Sequence, residues 1–114
     1  MGACGTCTVL VDGEAVLACL TLALSAEGKD IRTVEGLAQG QELSSLQQAF
    51  VKHGAIQCGF CTPGMVLSAK ALLDRAQNPS REKIREGISG NLCRCTGYTQ
   101  IVDAIEDAST KCRK

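Results

Sequence analysis

Gln57-Cys58-Gly59-Phe60-Cys61-Thr62-Pro63-Gly64 and Asn91-Leu92-Cys93-Arg94-Cys95-Thr96-Gly97-Tyr98 decide how this chain of 114 residues is read. Each segment sets a pair of cysteines in a glycine-containing turn that opens onto a stretch of helical periodicity. A cluster of two irons bridged by two sulfides takes four terminal ligands, and thiolates suit it. Cys93 and Cys95, two apart in extended chain, point the same way. Cys58 and Cys61 do so around a tight turn, where Gly59 tolerates positive φ and close backbone approach. Spacing alone leaves iron–sulfur, structural zinc and disulfides open. Cys93-x-Cys95 is tighter than the usual zinc knuckle, which favours iron–sulfur.

Around these turns the second half of the chain repeats like helix. Leu43, Leu46 and Phe50 predict one helix that ends at His53-Gly54. Thr62 reads as the cap of a second, with Pro63 at its first position, and Met65, Ala69, Leu72, Leu73 and Ala76 trace its apolar face. Ser80 caps a third carrying Ile84 and Ile88. Ile101, Val102, Ile105 and Ala108 line a fourth, with Asp103, Glu106 and Asp107 on its solvated side. Four short amphipathic helices predict a small bundle, with both cysteine pairs in the loops before its second and fourth helices. There the helix N-termini would favour thiolate charge.

The first half alternates instead. Thr8–Val11 and Ala15–Leu20 flank Asp12-Gly13, a hairpin turn signal, and Ile31–Val34 makes a third short strand. Three such strands with no helix of their own form a poor independent core. The fold class is therefore α+β, with a domain boundary in the Gly36–Gly40 stretch, giving segments 1–38 and 39–114.

Composition narrows the function. Twelve basic and twelve acidic residues cancel, so there is no basic stripe for nucleic acid, and Phe50, Phe60 and Tyr98 are the only aromatics. No secretory signal or membrane span is expected, which places the chain in the reducing cytoplasm. There, eight cysteines point to metal rather than disulfides. His53, the single histidine, reads as a solvated group at a helix end. No carboxylate pair suggests acid–base chemistry.

Cys4-Gly5-Thr6-Cys7 with Cys19 matches the later members of the plant-type ferredoxin spacing. The first member would fall five residues before Cys4, ahead of Met1. With these residues in place, the chain resembles the small iron–sulfur subunit of the molybdenum hydroxylases, the xanthine dehydrogenase, aldehyde oxidoreductase and carbon monoxide dehydrogenase family. The resemblance runs through Gly2-Ala3-Cys4-Gly5-Thr6-Cys7, Ala18-Cys19-Leu20, Thr33-Val34-Glu35-Gly36-Leu37, Ala55-Ile56-Gln57-Cys58-Gly59-Phe60-Cys61-Thr62-Pro63-Gly64-Met65 and Gly90 to Tyr98.

The resemblance implies a truncated ferredoxin-like β-grasp segment followed by a four-helix [2Fe-2S]-binding bundle. It implies that Cys58, Cys61, Cys93 and Cys95 ligate the bundle cluster. Gln57 and the Cys95 region would lie against the molybdopterin of a large partner subunit. Cys4, Cys7 and Cys19 would be three ligands of a second cluster whose first ligand is absent. Cys112, in the Lys111-Cys112-Arg113-Lys114 tail, reads as a free surface thiol that would substitute only if the tail folded back. Electrons would pass from molybdenum through both clusters to FAD on a medium subunit or to another acceptor. A zinc-stabilised interaction module and an assembly subunit carrying only the bundle cluster are the alternatives.

Overall fold

Thr8–Val11 (β1) and Glu14–Leu17 (β2) pair antiparallel, Thr8 opposite Leu17 and Val11 opposite Glu14. Asp12 and Gly13 join them with φ of 52° and 85°, the double left-handed turn whose twist matches a hairpin. The computed structural model, which describes residues 1–111, adds Ile31–Arg32 (β3) to the other edge of β1. Sheet order is thus β2-β1-β3. Asp12 ties the third strand in: its N–H donates to the Asp30 carbonyl at 2.8 Å, and its carboxylate accepts the Asp30 N–H at 2.9 Å.

Two strands stop short of the sequence expectation. Ala18–Leu20 and Val34–Leu37 are 3-10 turns, not strand. The first departure has a local cause. The Ala18 N–H donates to the Cys7 carbonyl and the Cys19 N–H to the Cys7 sulfur, each at 3.3 Å, so the chain wraps round Cys7.

Four helices follow, Ser45–Lys52 (α1), Thr62–Arg75 (α2), Arg81–Gly87 (α3) and Thr99–Lys111 (α4). Ser44 starts α1 with a reciprocal capping box: its hydroxyl accepts the Gln47 N–H at 3.2 Å and the Gln47 side-chain oxygen accepts the Ser44 N–H at 2.9 Å. That cap leaves Leu43 outside the helix and exposed, so the buried face is Leu46, Ala49 and Phe50. Cys61, not Thr62, holds the cap position of α2, and Thr62 is the first helical residue. Ser80 caps α3, and Ile84, Ile88, Ile101, Val102, Ile105 and Ala108 are buried, as the periodicity predicts. Among the described residues, no helix is long and apolar enough to cross a membrane.

The acidic side of α4 is less solvated than expected. Asp107 meets His53 at 2.9 Å and Lys52 at 3.7 Å, while Arg81 bridges Asp103 at 2.9 Å and Glu106 at 2.6 Å. These pairs fasten α4 to the end of α1 and the start of α3, and His53 is a partner in them rather than a free surface group.

α2 is the central element. It packs on α1, on α3 and on β1, and it is buried from Gly64 to Ala69 and from Ala71 to Leu73. The strands therefore do gain a helix, but one supplied by the other half of the chain. Thr8 and Leu10 alternate inward from β1, and Leu10 joins the same core as Phe50, Met65 and Ile105.

Asn91 closes this junction. Its side-chain amide donates to the Gly5 carbonyl at 2.9 Å and its oxygen accepts the Ser68 hydroxyl at 2.8 Å. The Thr8 hydroxyl donates to the same Gly5 carbonyl at 2.6 Å. Gly5 and Gly64 meet so closely that a methyl on Gly64 would overlap the Gly5 carbonyl oxygen, while one on Gly5 would strike the Gly90 carbonyl oxygen.

This packing reverses the usual sign of a glycine substitution. Alanine in a helix interior is normally favoured by about 1 kcal/mol, but overpacking typically costs about 1–3 kcal/mol. Gly64→Ala is expected to lower the urea midpoint, with a net loss of up to about 2 kcal/mol. A raised midpoint would mean the contact is slack.

Candidate metal centre

The turn from Cys58 to Cys61 bends where expected, with Gly59 at φ 88°, and the Thr62 N–H closes it onto the Gly59 carbonyl at 3.3 Å. The Phe60 N–H approaches the Cys58 sulfur at 3.5 Å. Across from it, residues 93–98 fold back on themselves. The Cys93 N–H donates to the Tyr98 hydroxyl at 2.9 Å, the Tyr98 N–H donates to the Thr96 hydroxyl oxygen at 3.0 Å, and that hydroxyl lies 3.2 Å from the Cys93 sulfur. Tyr98 has φ 75°. A residue with a Cβ loses roughly 1–2 kcal/mol there, so the ring's packing on the core and its bond to Cys93 hold a conformation the chain would otherwise leave.

The two turns face one another. Cys58, Cys61 and Cys93 line one hollow of about 490 Å³ with Phe60, Leu92, Arg94 and Tyr98. The Cys61 and Cys93 thiols are near enough to shift each other's protonation, and Cys58 is near enough for its charge to act on Cys61. Cys95 is exposed and outside that lining, although its backbone amide reaches the Cys93 sulfur. Gln57 is exposed at the head of the first turn.

The donor set is soft sulfur, matched to iron–sulfur chemistry. Among the described residues, no three His, Cys, Asp or Glu side chains are grouped to hold a single metal ion. Cysteine thiols facing one hollow are the donor type that a core of two irons and two sulfides takes.

Burial pushes the Cys61 thiol up to about 11, with Cys93 and Cys58 adding to the effect. Burial acts upward on Cys93 too. There the Thr96 hydroxyl, the Thr96 and Cys95 amides and the Cys61 thiol outweigh it and bring the group down to about 7. The pair thus divides its protons unequally: Cys61 holds one while Cys93 is ready to release its own.

The N-terminal thiols form a second group. Cys7 and Cys19 are in contact, and Cys4 is exposed at the start of the same loop as Cys7. The Cys19 thiol is held below its ordinary range, first by the Gly2 N–H at 3.3 Å and then by Cys7. Cys112 lies outside the described residues. All seven described cysteines are free thiols.

The two groups are neighbours. The Leu92 N–H donates to the Cys4 carbonyl at 2.8 Å, and the Thr6 hydroxyl donates to the Phe60 carbonyl at 2.9 Å. Residues that sequence reasoning passed over do much of the positioning here: Asn91, Thr96 and Tyr98. Their types carry no ligand signal, and only the folded-back turn discloses their roles.

Comparison with known proteins comes to the same place. Residues 33–106 match the [2Fe-2S] binding domain family. The chain is 56% identical to the nicotine 6-hydroxylase small subunit of Paenarthrobacter nicotinovorans, over 94% of this chain and 64% of that one, so it spans less than two thirds of this relative. It is 54% identical to the xanthine dehydrogenase iron-sulfur-binding subunit of Escherichia coli O157:H7, over 94% of this chain and 69% of that one. Quinoline 2-oxidoreductase from Pseudomonas putida 86 contains a chain that superposes with a TM-score of 0.95 at 54% identity, covering 99% of this chain and 70% of its own length.

The paired thiols predict a pH-dependent reactivity in metal-free protein. Only thiolate is alkylated rapidly, so labelling of Cys93 by iodoacetamide is expected to rise through a midpoint near 7, while Cys61 resists until about 11. Peptide mass mapping across a pH series measures this. Equal midpoints for the two residues would contradict the unequal sharing.

Proposed function

The chain belongs to the [2Fe-2S]-binding small subunits of the molybdenum hydroxylases, and from that membership we propose that it relays single electrons within a larger oxidoreductase. Zinc, open on spacing alone, gives way to iron–sulfur with this membership. In this reading Cys58, Cys61, Cys93 and Cys95 hold one cluster in the helical part, residues 39–114. Cys4, Cys7 and Cys19 contribute to a second cluster in the ferredoxin-like part, residues 1–38. The setting is cytoplasmic, where thiols stay reduced and available as ligands.

The observation that supports the relay is the direct hydrogen bonding between the loops that carry the two sets of thiols. Cys4 and Leu92 are joined by a hydrogen bond of 2.8 Å, and Leu92 is covalently next to Cys93. Thr6 and Phe60 make a parallel link, and Phe60 precedes Cys61. A [2Fe-2S] cluster, when bound, accepts and returns one electron. The protein's part is to fix the thiols, limit water and set the distance to the next acceptor.

Partner surfaces follow from the same side chains. Phe60, 74% exposed, and Leu92, 56% exposed, line the hollow, and Gln57 and Cys95 are exposed in the same two turns. Apolar groups left open beside a candidate redox site mark an interaction face. We assign this face to a large molybdopterin-binding subunit, with Gln57 and the Cys95 region against the pterin. The Cys4, Cys7 and Cys19 group would face an FAD-binding subunit or another acceptor.

Cys93→Ala in the assembled enzyme tests the relay. The expected result is loss of one [2Fe-2S] signal in the electron paramagnetic resonance spectrum and collapse of steady-state turnover, while substrate still reduces molybdenum once. Sustained turnover in that variant would overturn the proposal.

A further inference from the structure

We infer that the Thr96 hydroxyl donates a hydrogen bond to the Cys93 sulfur and so raises the reduction potential of the cluster that Cys93 holds. This rests on the reading of Cys93 as a ligand given above. The two atoms are 3.2 Å apart, and in the metal-free protein either could donate. Ligation removes that ambiguity, because a metal-bound thiolate has no proton. The Thr96 oxygen already accepts the Tyr98 N–H at 3.0 Å, which uses a lone pair and leaves its O–H directed elsewhere. The proton between oxygen and sulfur then belongs to Thr96.

The donor is held in place before any electron arrives. The Tyr98 hydroxyl accepts the Cys93 N–H at 2.9 Å, so ligand, donor and anchor form one closed turn. Gly97 and Tyr98, at φ 69° and 75°, bend the backbone to aim the Tyr98 N–H at Thr96. Cys58, by comparison, faces only the longer approach of the Phe60 amide at 3.5 Å among the described contacts.

The physical consequence concerns charge. Reduction adds one electron, and part of that negative charge falls on the ligating sulfurs. A hydrogen-bond donor to sulfur stabilises the more negative, reduced state more than the oxidised one, and the potential rises. Thr96 is therefore a positioning residue that tunes an electron-transfer step, touching the sulfur rather than any substrate.

The test uses the assembled enzyme and the resonance signal that Cys93→Ala abolishes. Redox titration of that signal is expected to give a more negative midpoint in Thr96→Val, which keeps the shape and loses the O–H. Thr96→Ser is expected to return it toward the wild-type value. Should the valine variant fail to assemble its cluster, Thr96→Ala, which also lacks the O–H, is titrated in its place and is expected to show the same negative shift. An unchanged midpoint in Thr96→Val, or a midpoint in Thr96→Ser that follows valine, overturns the inference. If Cys93→Ala keeps every cluster signal, the ligand reading itself has failed, and the two failures are distinguishable.

Discussion

One carbonyl oxygen organises this molecule. The Gly5 carbonyl accepts the Asn91 side-chain amide, the Thr8 hydroxyl and the Thr8 backbone N–H, and it sits against the bare α-carbon of Gly64. Three separate segments therefore meet at one buried point: the N-terminal loop, the start of α2 and the turn leading to Cys93. Leaving such a group unpaired inside the protein costs about 1–3 kcal/mol, so each partner constrains the others. Both candidate metal centres lie within a few residues of this point. Their mutual placement is a property of the junction rather than of either half.

The junction also explains why α2 is apolar on nearly all sides while α1 and α4 are amphipathic. α2 is covered by helices and by the sheet, whereas α1 and α4 keep one face in water and use it for ion pairs. Cys61 at the cap of α2 inherits that burial, which is why its thiol is driven up while Cys93, in a turn rich in donors, is driven down. Two thiols of one hollow thus differ because the elements carrying them differ in solvent and in hydrogen-bond supply. Unequal environments of this kind are how a protein adjusts a metal site without changing its ligands.

Much of the architecture was legible beforehand, and for identifiable reasons. Asp12-Gly13 dictated the hairpin because few residues accept two consecutive left-handed conformations. Ser80, Ile84 and Ile88, and Ile101 to Ala108, dictated α3 and α4 because cap chemistry and a 3.6-residue period are local signals. Leu43 misled because the stronger capping box at Ser44 and Gln47 started the helix later. Ala18–Leu20 misled because a sulfur-directed hydrogen bond from Cys19 competes with strand pairing, and composition does not encode that competition. Thr62 likewise had the right chemistry for a cap one residue too late.

By itself the sequence determined the donor chemistry and the element types: cysteines in two short-spaced pairs, glycine turns before helices, alternation in the first segment and helical period in the second. These are matters of covalent spacing and nearest-neighbour conformation. Only tertiary structure decided that the Cys58 and Cys93 turns share one hollow, that α2 roofs strands from the other half, and that Thr96 stands 3.2 Å from the Cys93 sulfur. Those relations join residues far apart in the chain or aim one atom at another. Contacts of that sort arise from packing and hydrogen-bond satisfaction across the whole core, which no local pattern contains.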